Sequence, residues 1–130
     1  MKELGFGIVG GGVIGPFHAK ALGSVKGARL VAICDAIEAV AKKFGADSGV
    51  TAYTDLDKML KRDDIDVLDV CTPSGLHAKL GILGAEAGKH VLVEKPISND
   101  IHEARQMVAL ATEKDLYLGC NLNHYFTEPA

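Results

Sequence analysis

The chain has 130 residues, the length of one domain, and 48% of them are hydrophobic, ample for a buried core. Lys and Arg number 14 against 17 Asp and Glu, a net charge of −3 with no long basic stripe, which argues against nucleic acid as a main partner. No apolar run reaches the length of a membrane span. Lys2 and the mostly apolar run to Phe17 mimic a signal peptide, but Glu3 and the six glycines between Gly5 and Gly15 fit the first strand of a fold better. Cys34, Cys71 and Cys120 are odd in number and far apart, with no C-x-x-C pair, so they read as small buried hydrophobes in a reducing, cytoplasmic setting.

Strand-like and helix-like segments alternate along the chain. Leu4–Val9 is the first predicted strand, and Gly10-Gly11-Gly12-Val13-Ile14-Gly15 follows it directly. This run opens a helix over Val13–Leu22, in whose first turn the missing N–H of Pro16 costs nothing. Strand, G-x-G-x-x-G and helix in that order are the dinucleotide-binding fingerprint. Gly10 permits the tight turn, Gly12 lets the backbone approach a pyrophosphate, and Gly15 lets the helix pack closely. The helix start presents free N–H groups and partial positive charge to the phosphates.

Arg29–Cys34 is the second strand. It ends at Asp35, where such folds place the carboxylate that bonds the adenosine ribose hydroxyls. Ile37–Phe44 reads as a helix stopped by Gly45. A short third strand covers Val50–Tyr53, and Thr54 or Asp55 caps a helix through Leu60. Asp66–Cys71 is the fourth strand, followed by the loop Thr72-Pro73-Ser74-Gly75 and a helix over Leu76–Ala87. His90–Val93 is the fifth strand. Ser98 or Asp100 caps a helix to about Glu113, and Tyr117–Asn121 is the sixth strand. The alternation predicts a doubly wound parallel sheet, a Rossmann fold of strand order 3-2-1-4-5-6, with a ligand crevice where the order reverses.

The residues of chemical interest cluster at the carboxyl ends of these strands. The charge of Asp35 favours NAD and repels a 2′-phosphate, so NADP is the less favoured cofactor. Lys42 and Lys43 lie further along and read as solvated. Thr72 and Ser74 can cap the next helix or bond a ribose, and Pro73 stiffens the turn. His77 falls in the first turn of that helix, equally readable as a surface residue. Glu94-Lys95-Pro96 follows the fifth strand. An adjacent ion pair there could be ordinary surface chemistry, but Lys95 would lie over the nicotinamide end, where it can bond a substrate hydroxyl and stabilise a developing alkoxide.

With these motifs in order, the chain resembles the N-terminal half of the glucose–fructose oxidoreductase / inositol dehydrogenase / MocA family. The resemblance rests on Gly10–Gly15, Asp35, Tyr53-Thr54-Asp55, Cys71-Thr72-Pro73 with His77, Glu94-Lys95-Pro96 and Asn123-His124-Tyr125-Phe126, and it spans essentially the whole chain. Glu-Lys-Pro is its most specific signal. The resemblance implies that Lys95 is the catalytic-site lysine and that His77 belongs to the cofactor site. The implied cofactor contacts are Gly10, Gly12 and Gly15 with Val13 and Ile14 between them, and Asp35. They continue with Thr72, Pro73 and Ser74 after the fourth strand, Glu94 and Lys95 after the fifth, and Asn123 after the sixth. The family often has Arg where Tyr125 stands. Members continue for about two hundred further residues into a second domain carrying the acid/base groups, the pocket for a sugar, cyclitol or polyol, and most of the oligomer interface. Residues 1–130 then form the cofactor domain alone, expected to bind NAD(H) weakly without turnover. A stand-alone dinucleotide sensor is the alternative, though it has no use for Lys95.

His18 can touch the sheet from the first helix, His90 begins a strand, His102 sits on an exposed turn and His124 lies near the C-terminus. No two of these have metal-ligand spacing with a carboxylate, and no metal is expected. Loss of a second domain would leave Leu118, Leu122 and Phe126 exposed, which predicts pairing of copies into a homo-oligomer.

Overall fold

The computed structural model describes residues 2–121. Six parallel strands form one sheet: β1 (Leu4–Val9), β2 (Ala28–Cys34), β3 (Thr51–Tyr53), β4 (Val67–Val70), β5 (His90–Glu94) and β6 (Leu118–Asn121). Their order is β3-β2-β1-β4-β5-β6, as the alternation predicts. The registers pair Val9 with Cys34, Val9 with Val70, Val70 with Val93 and Glu94 with Asn121, which aligns the carboxyl ends along one edge. The order reverses between β1 and β4, so the loops after these strands diverge to opposite faces and leave a crevice.

The connecting helices are α1 (Ile14–Leu22), α2 (Glu38–Ser48), α3 (Leu56–Leu60), α4 (His77–Glu86) and α5 (Ile101–Glu113). Ile8 and Ile33 pack under Ala41 and Phe44 of α2 and Ala19 and Leu22 of α1. On the other face Leu68, Val70, Val91 and Val93 pack against Met59, Ala78, Ala85 and Met107 from α3, α4 and α5. All four residues of β4 are buried, Asp69 together with Val67, Leu68 and Val70, as in a strand covered on both faces.

The boundaries hold several corrections. The α2 helix does not stop at Gly45 but runs to Ser48, and Gly49 ends it in the left-handed conformation at φ 68°. Gly45 instead faces β3, where a Cβ would lie 2.8 Å from that of Ala52, so its smallness serves packing. Ser74–Leu76 form a 3-10 turn, and α4 begins only at His77. Asp55 caps α3 and Asp100 caps α5, each taking the N–H two residues on. Lys42 and Lys43 are solvated as expected, each in an exposed i,i+4 ion pair. Leu118 packs against the core and is not an exposed patch; Leu122 and Phe126 lie outside the described residues. An apolar groove of about 310 Å³ opens instead between Leu4, Phe6, Leu92 and Tyr117. Among the described residues no helix is long and apolar enough to cross a membrane.

Candidate functional site at the sheet switch point

The glycine turn sits where β1, β2 and β4 converge. Gly10 donates its N–H to the Cys34 carbonyl at 2.8 Å, and Cys71 donates to the Val9 carbonyl at 2.8 Å. Gly10 has φ 108°, and a Cβ on it would lie 2.6 Å from the Cys71 carbonyl group, so no other residue fits the turn. A Cβ on Gly15 would collide with the Gly10 carbonyl, so the first turn of α1 rests on the glycine turn itself. At Gly12 the same position is open space, a cradle free for a phosphate. Val13 immediately precedes α1 and Ile14 begins it, and no side chain caps its first N–H groups.

Asp35 lies just past β2. One carboxylate oxygen accepts the Gly11 N–H at 2.8 Å and the other the Ile37 N–H at 2.9 Å. Each oxygen keeps a free lone pair, so the carboxylate is braced toward the glycine turn and still able to accept from a ribose. Beside it lies a largely apolar cavity of about 480 Å³ walled by Ile37, Val40, Thr54, Pro73 and Leu76. Burial, with the Asp35 charge, pushes the Cys34 thiol up to about 11, which keeps it protonated.

A second, smaller cavity of about 320 Å³ lies beyond the turn. Ile14, Thr72, Ser74, His77, Glu94 and Lys95 line it. Thr72 lines both cavities, and its buried Oγ1 has no hydrogen-bond partner among the described residues. An orphaned hydroxyl at the junction of two cavities fits a ligand that runs through both. Asn99 lies within hydrogen-bond reach of Ser74 Oγ at 3.5 Å.

His77 is not a surface residue: it is 2% exposed. Its Nδ1 lies 2.6 Å from the Pro96 carbonyl and its Nε2 2.8 Å from the Thr72 carbonyl. Both partners are carbonyl oxygens that only accept, so the ring donates to them and bridges the two segments. His77 thus ties the loop after β4 to the turn after β5, the two segments that carry Thr72 and Lys95.

Glu94 and Lys95 do not form the adjacent ion pair considered above. Lys95 is exposed, whereas Glu94 is buried and bonds His18 Nε2 at 2.7 Å and Asn121 Nδ2 at 2.6 Å. His18 reaches across from α1, with Nδ1 2.6 Å from Asp69 Oδ2. The Cys71 thiol joins this cluster, 3.3 Å from His18 Nδ1 and 3.5 Å from Asp69 Oδ1. Donor atoms of His18, Asp69 and Cys71 fall within 4.8 Å of one another, a juxtaposition the sequence spacing hides. Burial, then the Asp69 charge, raise the Cys71 thiol far above its usual range, so it stays a thiol. Cys71 is therefore part of a polar network as well as of the core.

Of the expected site residues, the fold brings Gly10, Gly12, Val13, Ile14, Gly15, Asp35, Thr72, Pro73, Ser74, His77, Glu94 and Lys95 to one edge of the sheet. Asn123 lies outside the described residues. His18, Asp69 and Asn121 are the functional candidates missed by sequence reading. The only hint was a His one helical turn beyond Ile14, on the side of α1 that must meet the sheet.

A parallel sheet with a glycine turn, a carboxylate and an orphaned hydroxyl gathered at its reversal point defines a dinucleotide-binding α/β domain. The chain belongs to the GFO_IDH_MocA family, described as "Oxidoreductase family, NAD-binding Rossmann fold", whose model matches residues 4–122. It is 36% identical over 121 residues to inositol 2-dehydrogenase of Rhizobium meliloti (strain 1021), covering 93% of this chain and 36% of that protein. Among solved structures, GenD2 from gentamicin A biosynthesis in complex with NAD superposes with a TM-score of 0.89 at 32% identity, over 93% of this chain and 35% of that one. A 3-ketoreductase from Actinomadura kijaniata in complex with TDP-benzene and NADP does so at 0.87 and 30% identity, over 92% and 38%. The chain is the NAD-binding Rossmann domain of this oxidoreductase family and spans a little over a third of its relatives' length.

Proposed function

We propose that residues 1–130 are the cofactor half of an NAD-dependent oxidoreductase that acts on a sugar, cyclitol or related polyol, with the substrate held by a second domain outside this sequence. The observation that carries the reading is the exposed Lys95 at the end of β5, sharing a cavity with Thr72 and His77 beside the glycine turn. The adenosine end fits the apolar cavity at Ile37 and Val40, with Asp35 accepting from the ribose. The pyrophosphate fits over Gly12 and the start of α1, and the nicotinamide end fits near Ile14, Thr72, Ser74 and Glu94. Asp35 favours NAD over NADP, because its charge would face a 2′-phosphate.

When bound, the nicotinamide supplies the hydride acceptor or donor. The chain's own part is positioning and charge. Lys95 donates to the substrate hydroxyl and stabilises negative charge as it develops on that oxygen. His77 holds the two loops that set the distance between Lys95 and the cofactor site. Glu94, spent on His18 and Asn121, leaves the Lys95 ammonium free for substrate.

The test is Lys95→Met in the full-length gene product, assayed for NAD reduction with a panel of polyols. The expected loss is about 10²–10⁴-fold in kcat, the usual range for such a group, with NADH affinity little changed. Turnover that survives the substitution would remove Lys95 from the chemistry. Dinucleotide binding without turnover on any polyol would favour a sensor.

A further inference from the structure

His18 takes no part in the chemistry proposed above, yet it is the most heavily bonded side chain near the crevice. It leaves α1 and lies against side chains of β4, β5 and β6. The titratable groups facing it are Asp69 of β4, Cys71 just after β4 and Glu94 of β5; Asn121 of β6 faces it without titrating. Nδ1 meets Asp69 at 2.6 Å and Nε2 meets Glu94 at 2.7 Å. Ionised carboxylates only accept, so both contacts are hydrogen bonds only if both ring nitrogens carry hydrogen. The Asn121 amide nitrogen, 3.2 Å from Nε2, donates to the same Glu94 oxygen. Four elements thus meet at one imidazole ring, and the residue after Glu94 is Lys95.

We infer that His18 is a positioning residue: a charged imidazole that clamps Asp69 and Glu94 and so fixes the end of β5 from which Lys95 and Pro96 reach the crevice. Without the positive charge, two largely buried carboxylates would be held against the same neutral side chain, and one would have to take a proton or turn away. Either change releases Glu94 and, with it, the turn that His77 grips at Pro96. The hydrogen bond that His18 donates to Asp69 raises the His18 basicity, in the direction the clamp requires. The inference rests on the dinucleotide reading of the crevice for its consequence, but not for its structure.

The test uses the isotope-labelled chain and NADH. Ring-nitrogen shifts should show His18 doubly protonated at neutral pH, where an ordinary histidine is mostly neutral. In Asp69→Asn, which keeps the shape and removes one charge, the His18 midpoint should fall. The backbone amides of Glu94 and Lys95 should then move along the same titration curve. NADH affinity should drop along that curve by about fivefold, the low end of ordinary coupling between sites. His18→Gln should abolish the pH dependence, whereas Asp69→Glu should restore the wild-type profile. A neutral His18 in the wild type, or Glu94 and Lys95 amides indifferent to its titration, would overturn the inference. Amides that follow His18 in a chain that binds no NADH would sink the dinucleotide reading and leave the clamp standing.

Discussion

Replacing Asp35 by Asn separates cofactor choice from cofactor binding. The carboxylate is braced by the Gly11 and Ile37 N–H groups at 2.8 and 2.9 Å, so its direction is set before any ligand arrives. A charge-assisted hydrogen bond to ribose contributes about 1.5–3 kcal/mol. A 2′-phosphate about 4 Å away would instead be repelled by about 1–4 kcal/mol per unit of charge, for an effective dielectric between about 80 and 20. Taking the low end of both terms, a net preference of about 2–3 kcal/mol for NAD corresponds to about 30- to 150-fold in dissociation constant. Asn keeps one acceptor oxygen and loses the charge. NAD should weaken about tenfold, and the NAD to NADP ratio should collapse to about threefold or less. One of the two bracing N–H groups would face an amide N–H, destabilising the fold by about 1–3 kcal/mol. Calorimetric titration of both dinucleotides into both proteins reads the ratio, with urea denaturation as the stability control. Equal affinities in the wild type, or an Asn variant that weakens both cofactors alike, would refute the role given to Asp35.

Two further substitutions test the surroundings. Gly15→Ala places a Cβ against the Gly10 carbonyl; overpacking against backbone should destabilise by about 1–3 kcal/mol in urea and weaken NADH binding by displacing the turn. For His18, the folded state raises the basicity above its ordinary value of 6.5, mainly through the Asp69 hydrogen bond. Its stabilisation is therefore complete below that value and is lost as pH rises through the raised folded one. The stability gap between wild type and His18→Gln should be about 3–5 kcal/mol at pH 6, as for a broken buried ion pair, and should shrink toward alkaline pH. A gap independent of pH would contradict a charged His18.

The parts of the fold legible in sequence are those governed by local pattern. Mostly apolar runs marked the strands, and their alternation with helices pointed to the sheet order. The glycine turn was readable because Gly10 needs a positive φ and Gly12 an empty space. Asp35 was placed by chain distance from that turn. What failed depended on contacts across the sheet. Gly45 looked like a helix stop because propensity says nothing about Ala52, against which it packs. His77 looked undecided because its burial comes from carbonyls in two loops, one of them 19 residues away. His18 looked bland because Asp69 is 51 residues distant and Asn121 is 103. No periodicity joins such residues; only the order of β1, β4, β5 and β6 brings them under one helix.

The central claim is that one crevice, at the reversal of the sheet, holds a dinucleotide. Titrating NADH into the nitrogen-labelled chain and following the backbone amides tests it most directly. The perturbed amides should be those of Gly10–Gly15, Asp35–Ile37, Thr72–His77 and Glu94–Lys95, saturating together at one equivalent. Shifts gathered instead at the open groove of about 740 Å³ beside Arg29, Lys42 and Arg62, or no shifts at all, would contradict it.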